Sequence, residues 1–320
     1  MMEKYDVAAM GELLIDFTQN GYSEQGNPVF EANPGGAPCN VLAMLQKLGR
    51  KTAFIGKVGQ DGFGLQLEKA LKETGISTEG LCFDKEVHTT LAVVQKKEDG
   101  DRDFSFYRKP GADMMLRAEE VNEDLIRNAA IFHYGSLSLT DEPVRTATVS
   151  AIEEAEKAGV LLSFDPNLRK PLWESEELAK KQIRYGLGHC HVLKISDDEL
   201  AWLTGEQDYE KAVQQLRSEF PIPLILLSMG KNGSRAYCGD EMAEAPAFLS
   251  ENTIETTGAG DTFMGCMLHQ ILEKGYQNLS ARDMEEMLIF ANAAASIITT
   301  RRGALRVMPE EEEILKRISF

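Results

Sequence analysis

The sequence lacks the features that mark several common classes of protein. It has 34 lysines and arginines against 51 aspartates and glutamates, and no basic run that could neutralise a phosphate backbone. We therefore predict no nucleic-acid partner. No basic N-terminal region precedes a long apolar run, and no apolar stretch approaches the ~18 residues that span a bilayer. We expect a cytoplasmic protein that does not enter a membrane.

Cysteine is also scarce. The chain has five, an odd number at widely spaced positions, and 320 residues can bury a core without disulfide bonds. This pattern favours free thiols in a reducing compartment. The cysteines are Cys39, Cys82, Cys190, Cys238 and Cys266.

The two most familiar nucleotide-binding motifs are missing. The only lysine followed by serine or threonine is Lys51, and Arg50 rather than glycine precedes it, which excludes a Walker motif. The dinucleotide fingerprint is missing too, because GELLID at 11–16 has one glycine and GKVGQDGFG at 56–64 has the wrong spacing. Neither motif therefore predicts a nucleotide site in this chain, and we interpret the glycine-rich turn at 56–64 as mainly structural.

What is present is an alternation of short apolar runs with amphipathic stretches. The apolar runs are 7–10, 53–55, 131–134, 160–164, 192–195 and 224–227. They predict a buried, mostly parallel sheet in one α/β domain over 1–320. Two stretches have apolar residues at helical spacing and a glycine after them: Val41, Met44, Leu45 and Leu48 before Gly49, and Met264, Met267, Leu268 and Ile271 before Gly275. We expect their methionines in the core.

One region departs from the alternation. Residues 87–108 read VHTTLAVVQKKEDGDRDFSFYR, two β-type runs around the turn-forming EDGD, and predict an antiparallel hairpin. The segment 19–34 is loop-like. We expect 17–34 and 87–112 to build a small β lid over a site, with an ordinary surface hairpin as the alternative.

The segment TTGAGDTFMG at 256–265 indicates chemistry. Gly258, Ala259 and Gly260 precede Asp261 at the start of a predicted helix, so their N–H groups and the helix dipole would bind an anion. Asp261 could take the proton from an attacking hydroxyl. Alternatively, Asp261 only complements the dipole, although a capping box would place its acid at 259 or 260. We predict phosphoryl transfer to a hydroxyl group.

A second cluster of small residues, NPGGAPCNV at 33–41, also precedes a predicted helix. Gly35 and Gly36 would let a ligand approach the backbone, and the amide of Asn40 offers a hydroxyl both a donor and an acceptor. The alternative is a tight strand-to-helix turn.

With 35-GGAPCN-40 and 256-TTGAGD-261, the sequence resembles the PfkB-type, ribokinase-like carbohydrate kinases. The segments 55-IGKVGQDGFG-64, 163-SFDPNLR-169, 194-KISDDE-199 and 228-SMGKNG-233 extend the resemblance over nearly the whole chain. It implies a ribokinase-like three-layer α/β/α sandwich with a mostly parallel central sheet and a small β lid. It also implies ATP-dependent phosphorylation of a sugar, with Mg²⁺.

The resemblance further implies residue roles. Asp261 would be the base, the N–H groups of Gly258, Ala259 and Gly260 the anion hole, and Arg169 the basic group near the transferring phosphate. Sugar contacts would be Asp16, Gly35, Gly36, Asn40 and Arg108, and nucleotide contacts Lys194, Ser228, Gly230, Gly233 and Asn292. The structural alternatives are a turn carboxylate for Asp16, a surface ion pair for Arg169, a surface charge for Lys194, and tight helix packing for Asn292.

Two positions depart from the family pattern. The family's N-x-x-E motif, which is linked to Mg²⁺ through water, begins here with Ser196 and keeps Glu199. The family's monovalent-cation site commonly has Asp where this chain has Glu255, two residues before Thr257. The resemblance thus implies ATP and Mg²⁺ as cofactors, and leaves K⁺ open.

Four segments look most like the fructokinase branch: GELLIDF, PGGAPCN, FYRKPGAD and DPNLR. This resemblance implies that Arg108 is a specificity contact. It also implies a homodimer that pairs through the lid. We therefore hypothesise phosphorylation of D-fructose at its 6-hydroxyl. The alternatives are a ribokinase, a 2-keto-3-deoxygluconate kinase, a nucleoside kinase or a catalytically silent member. A metal enzyme built on His189-Cys190-His191 is a further alternative, although no second cluster completes four ligands.

Overall fold

The computed structural model describes residues 5–96 and 102–319. Its strands are β1 Tyr5–Met10, β2 Leu14–Tyr22, β3 Pro28–Gly35, β4 Thr52–Gly59, β5 Ser77–Asp84, β6 Leu91–Lys96, β7 Arg102–Tyr107, β8 Ala129–Gly135, β9 Leu161–Asp165, β10 Val192–Ser196, β11 Leu224–Ser228, β12 Ser234–Cys238 and β13 Glu241–Ala245. Its α-helices are α1 Ala37–Lys47, α2 Gly62–Thr74, α3 Glu123–Arg127, α4 Val144–Ala158, α5 Glu176–His189, α6 Asp197–Thr204, α7 Tyr209–Glu219, α8 Ala259–Lys274, α9 Ala281–Ile298 and α10 Glu311–Ser319.

The main sheet is mostly parallel, as predicted. Among the described residues, nine strands follow the order β13-β12-β11-β10-β9-β8-β1-β4-β5. Only the β11–β12 and β12–β13 pairs are antiparallel, and the other pairs are parallel. The six apolar runs form six adjacent strands, from β11 to β4. Parallel strands buried on both faces need apolar side chains throughout, which is why these runs were readable.

Helices cover both faces of the main sheet. Along β1, Val7 and Ala9 pack in one core with α1, α2, α8, α9 and α10, whereas Ala8 and Met10 pack in the other with α3 to α7. Successive strand residues face opposite sides, so one strand serves both cores. The three-layer α/β/α sandwich is therefore confirmed. Met44, Met264 and Met267 are fully buried in the first core, as expected.

Within the described part of the chain, no helix is both long and apolar enough to cross a membrane.

The second sheet has the strand order β3-β2-β6-β7 among the described residues. β6 and β7 form the predicted antiparallel hairpin, although its EDGD turn lies outside the described residues. The expectation of a loop over 19–34 is wrong, because β2 and β3 pair there as a second hairpin. These strands are only partly buried, so their sequence lacks the clear apolar alternation that would have predicted them. Phe17 anchors the sheet edge-to-face on Phe63 of α2, at 5.5 Å between ring centroids.

Candidate active site

Asp261 lies in the first turn of α8, which follows Gly258. Gly258 has a φ of 77°, and a Cβ there would lie 2.7 Å from the Cβ of Ala304, so this turn requires glycine. The N–H of Ala259 donates to Thr256 O at 3.2 Å. The anion hole expected here therefore rests on Gly258 and Gly260, whose N–H groups have no protein acceptor among the described contacts, and Ala259 does not contribute its N–H in this geometry.

Two distant segments converge on the Asp261 carboxylate. Asn40 Nδ2 donates to its Oδ2 at 2.8 Å, and Asn167 Nδ2 donates to its Oδ1 at 3.3 Å. Burial raises the pKa of Asp261, while the Asn40 hydrogen bond and the charges of Lys194 and Arg169 oppose that rise. A raised pKa makes the carboxylate a stronger base, which suits it to take a proton from a hydroxyl.

Asp261 faces a cavity of about 260 Å³, which we call the sugar-side cavity. Its wall includes Glu12, Asp16, Gly36, Asn40, Arg169 and Asp261. Asn40 Oδ1 is buried without a hydrogen-bond partner among the described residues, which leaves it available to a ligand hydroxyl. Gly35 lies behind Asp16, where a Cβ would come within 2.2 Å of Asp16 Oδ2. Three of the five predicted sugar contacts, Asp16, Gly36 and Asn40, thus line this cavity, and Gly35 adjoins Asp16.

Asp16 is partly buried. Burial raises its pKa to about 7, the charge of Arg169 acts in the opposite direction, and Asp261 and Glu255 add to the rise. An ionised Asp16 would accept two hydroxyl hydrogen bonds, so a polyol would repay the cost of burying it.

A larger cavity of about 730 Å³, the nucleotide-side cavity, adjoins the first. All five predicted nucleotide contacts line it: Lys194, Ser228, Gly230, Gly233 and Asn292. Four residues line both cavities: Asn167, Arg169, Lys194 and Gly260. The start of α8 therefore lies where the two cavities meet.

Lys194 and Arg169 supply positive charge at this junction. Lys194 is 6% exposed, so the surface-charge alternative is wrong for it. Its Nζ lies 3.0 Å from Asp165 Oδ2. Burial lowers the pKa of Lys194, but the carboxylates of Asp165 and Glu199 outweigh burial and raise it. Arg169 is exposed and forms no ion pair with the described residues; it donates only to the carbonyls of Asn167 and Leu168.

Arg108 does not reach the cavity wall. Its guanidinium is buried. Nε donates to Asp113 Oδ2 at 2.7 Å, Nη1 to Thr140 Oγ1 at 3.1 Å and Nη2 to Leu137 O at 3.0 Å. A buried guanidinium needs these partners, so Arg108 supports the wall from behind through Leu137. This placement does not support the expected direct sugar contact.

Asn292 lines the nucleotide-side cavity with its amide already occupied. It accepts from Ser234 Oγ at 3.0 Å and donates to Ala245 O at 3.2 Å and Pro246 O at 3.1 Å. Its hydrogen bonds fix the end of β13 against α9. This arrangement favours the packing alternative for Asn292 over recognition of a base by its amide.

Glu199 has a structural role that the sequence motif did not reveal. Its Oε2 accepts from the N–H and hydroxyl of Ser196 at 2.9 Å each, which closes a capping box at the start of α6. Its Oε1 accepts from Leu168 N at 2.6 Å. The serine in place of asparagine thus caps the helix, and Glu199 ties the DPNLR loop to α6 at the edge of the nucleotide-side cavity.

Glu255 and Thr257 line a small cavity next to Asp16. Glu255 is 7% exposed, and its Oε1 accepts from Gly303 N at 2.7 Å. Within the described ranges it forms no ion pair.

The two histidines of His189-Cys190-His191 contact different partners. His189 Nδ1 lies 2.7 Å from a carboxylate oxygen of Glu156, whereas His191 Nδ1 accepts from Leu162 N at 3.0 Å. Over residues 5–96 and 102–319, no group of three or more His, Cys, Asp or Glu could hold a metal ion. The structure thus gives the metal-enzyme alternative no ligand set.

Sequence reasoning missed Glu12 and Asn167. Glu12, Leu14 and Asp16 are alternate residues of GELLID, and all three line the sugar-side cavity. That period of two was a usable signal. Asn167 has a φ of 43°, which asparagine tolerates better than most residues, and this turn carries its amide to Asp261.

Comparisons with known proteins agree with this geometry. The model of the pfkB family of carbohydrate kinases matches residues 4–311. Fructokinase-2 of Solanum lycopersicum is 44% identical over 313 residues, 97% of this chain and 94% of the relative. The structure of fructokinase from Xylella fastidiosa with bound ATP has a TM-score of 0.88 at 30% identity and covers 98% of both chains. Fructokinase from Vibrio cholerae O395, with fructose, ADP and calcium ion bound, has a TM-score of 0.88 at 28% identity and covers 99% of this chain and 100% of its own. The expected ribokinase-like fold is confirmed.

Proposed function

The chain belongs to the pfkB family of carbohydrate kinases, and from that membership we propose that it is a fructokinase, which transfers the γ-phosphate of ATP to the 6-hydroxyl of D-fructose. The observation that carries the proposal is the position of Asp261 in the wall of the sugar-side cavity, directly after Gly260, which lines both cavities. Relatives named fructokinase, similar over nearly their full length, support the choice of sugar.

Each residue at the site has its own part in the proposed reaction. Asp16 and Asn40 Oδ1 hold sugar hydroxyls, and the 6-hydroxyl faces Asp261. A bond forms from the hydroxyl oxygen to the γ-phosphorus as the bond to the bridging oxygen of ADP breaks, and the hydroxyl proton passes to Asp261. The N–H groups of Gly258 and Gly260, together with Lys194 and Arg169, stabilise the charge on the phosphoryl group.

One carboxylate beside the nucleotide-side cavity suits support of Mg²⁺ through water. Glu199 lines that cavity, and Mg²⁺ prefers hard oxygen donors and usually keeps several of its waters. Mg²⁺ would neutralise the phosphate charge of ATP. We assign its water-mediated support to Glu199, whose own hydrogen bonds hold it in place.

A monovalent cation fits beside Glu255 and Thr257. The Glu255 carboxylate is buried and has no ion pair among the described contacts, so a K⁺ ion would supply the missing positive charge. We propose K⁺ at this site, where it would stabilise the turn that leads into Gly258.

We further propose that the second sheet is a lid. β2 and β7 contribute Leu14, Asp16 and Phe106 to the sugar-side cavity, so movement of this sheet would open or cover the sugar. A covered site excludes water that would otherwise accept the phosphoryl group.

We propose that two copies pair through the lid, because Tyr22, Val29 and Tyr107 on its strands are 72%, 43% and 65% exposed. Sedimentation equilibrium should give a dimer mass, and a monomer at micromolar concentration would contradict the pairing.

We place the enzyme in the cytoplasm, since it uses ATP and its five cysteines are free thiols. Cell fractionation can check this placement.

The test of function is ADP release with Mg-ATP and a panel of acceptors: fructose, ribose, 2-keto-3-deoxygluconate, adenosine and inosine, each with and without K⁺. We expect the highest kcat/KM with fructose, a 6-phosphate product by NMR, and faster turnover with K⁺. Preference for another acceptor would reject the fructokinase assignment, and silence on all five despite ATP binding would favour a silent member.

A further inference from the structure

A second buried carboxyl group, that of Glu12, lies in the wall of the sugar-side cavity. Glu12 follows β1, is 5% exposed and lines the same cavity as Asp16. Its Oε1 accepts a hydrogen bond from Ala37 N, the first residue of α1, at 2.8 Å. One oxygen of the carboxyl group is therefore fixed, and the side chain is held in one orientation.

The other carboxyl oxygen, Oε2, has no hydrogen bond from another residue in the described part of the chain; beyond Ala37, only the N–H of Glu12 itself acts on this carboxyl group. An oxygen in a cavity wall that no neighbouring residue engages is available to a ligand hydroxyl. Asn40 Oδ1, in the same cavity wall, is also buried without a partner.

The electrostatic setting of Glu12 suits a neutral polyol. Burial raises its pKa to about 7, the N–H groups of its own backbone and of Ala37 act against burial, Asp113 adds to the rise, and Arg108 opposes it. Near neutral pH such a carboxyl group can accept a hydrogen bond from a hydroxyl or donate one to it. An anionic ligand group at this position would be repelled by the ionised form.

We propose that Glu12 is a specificity-determining sugar contact, whose Oε2 hydrogen-bonds one hydroxyl of the bound sugar while Ala37 N holds Oε1. This inference rests on the proposed function and assigns Glu12 to a hydroxyl other than the 6-hydroxyl, which faces Asp261. A sugar without that hydroxyl would leave the buried carboxyl group unsatisfied, and the enzyme would discriminate against it. The competing explanation is that Glu12 only caps the start of α1.

The test pairs Glu12→Ala with fructose analogues that each lack one hydroxyl, the 6-hydroxyl being retained. In the wild type, loss of the contacted hydroxyl should lower kcat/KM roughly 10- to 100-fold. In Glu12→Ala the same analogue should cost less than about threefold relative to fructose, because the partner is already gone. Glu79→Ala removes an exposed carboxylate on β5 and should behave as the wild type does.

The outcomes separate the two proposals. If Glu12→Ala loses the same factor as the wild type with every analogue, Glu12 is only a helix cap and the contact is rejected. If Glu12→Ala fails to fold by circular dichroism, Glu12→Gln keeps the Ala37 acceptor and places an amide NH₂, which donates but cannot accept, at the cavity-facing position. The factor lost with the contacted analogue should then differ from the wild-type factor by at least about threefold, and an equal factor would reject the contact. A wild type that phosphorylates fructose without this coupling refutes the contact alone, whereas a wild type inactive on fructose refutes both proposals.

Discussion

The two cavities that meet at the start of α8 have walls of different composition. The sugar-side cavity, of about 260 Å³, is walled by the buried side chains of Glu12 and Asn40 and by the partly buried Asp16. The nucleotide-side cavity, of about 730 Å³, is walled by Ser228, Gly230 and Gly233 after β11 and by charged side chains that include Arg169 and Lys194. The sugar side is thus a small space with buried polar acceptors, and the nucleotide side is a larger space with an open turn and charges.

This difference follows from what each ligand offers. A neutral sugar has only hydroxyl groups, and acceptors aimed at them discriminate well because an unmatched buried acceptor is costly. A nucleotide carries phosphates, which glycine-rich turns and a lysine can hold without fine selection. Substitutions in the sugar-side cavity should therefore change sugar specificity. A substitution of Asp261 should instead affect the transfer step, which needs both ligands.

The largest expected effect is that of Asp261→Asn at this junction. The amide cannot take the hydroxyl proton, so kcat should fall by ~10²–10⁴ while fructose and ATP still bind. Single-turnover kinetics, together with calorimetric binding of each ligand, would check this. Asparagine keeps the size of the side chain, and its Oδ1 can still accept from Asn40.

Asp283→Asn is a matched control, because Asp283 caps α9 on the surface through Ser280. It should leave kcat unchanged. An Asp261→Asn enzyme that retained more than about a tenth of the wild-type kcat would show that another group accepts the proton.

The contrast also explains what the sequence could reveal. The parallel strands were readable because burial on both faces demands continuous apolar runs, and the start of α8 was readable because GAG leaves the backbone open before Asp261. The β2–β3 hairpin was not, since a half-exposed sheet is held by main-chain pairing. Nor was the burial of Arg108, which depends on Thr140 and Leu137, about thirty residues away in the chain. Such long-range pairings leave no local pattern.

A smaller effect, and a sharper test of the contrast, is the pH dependence of each side. Asp16 has a pKa raised to about 7, so it is protonated below that pH and loses acceptor capacity for sugar hydroxyls. kcat/KM for fructose should therefore fall at least ~10-fold per pH unit below 7 and level off above it. Lys194, whose pKa is raised, stays protonated throughout, so ATP affinity measured by calorimetry should not share this bend.

Asp16→Asn should lower the plateau and reduce the acid-limb slope of log(kcat/KM) by about one. An unchanged slope in Asp16→Asn would assign the titration to another carboxyl group, and a bend shared by ATP affinity would mean that the two cavities titrate as one site.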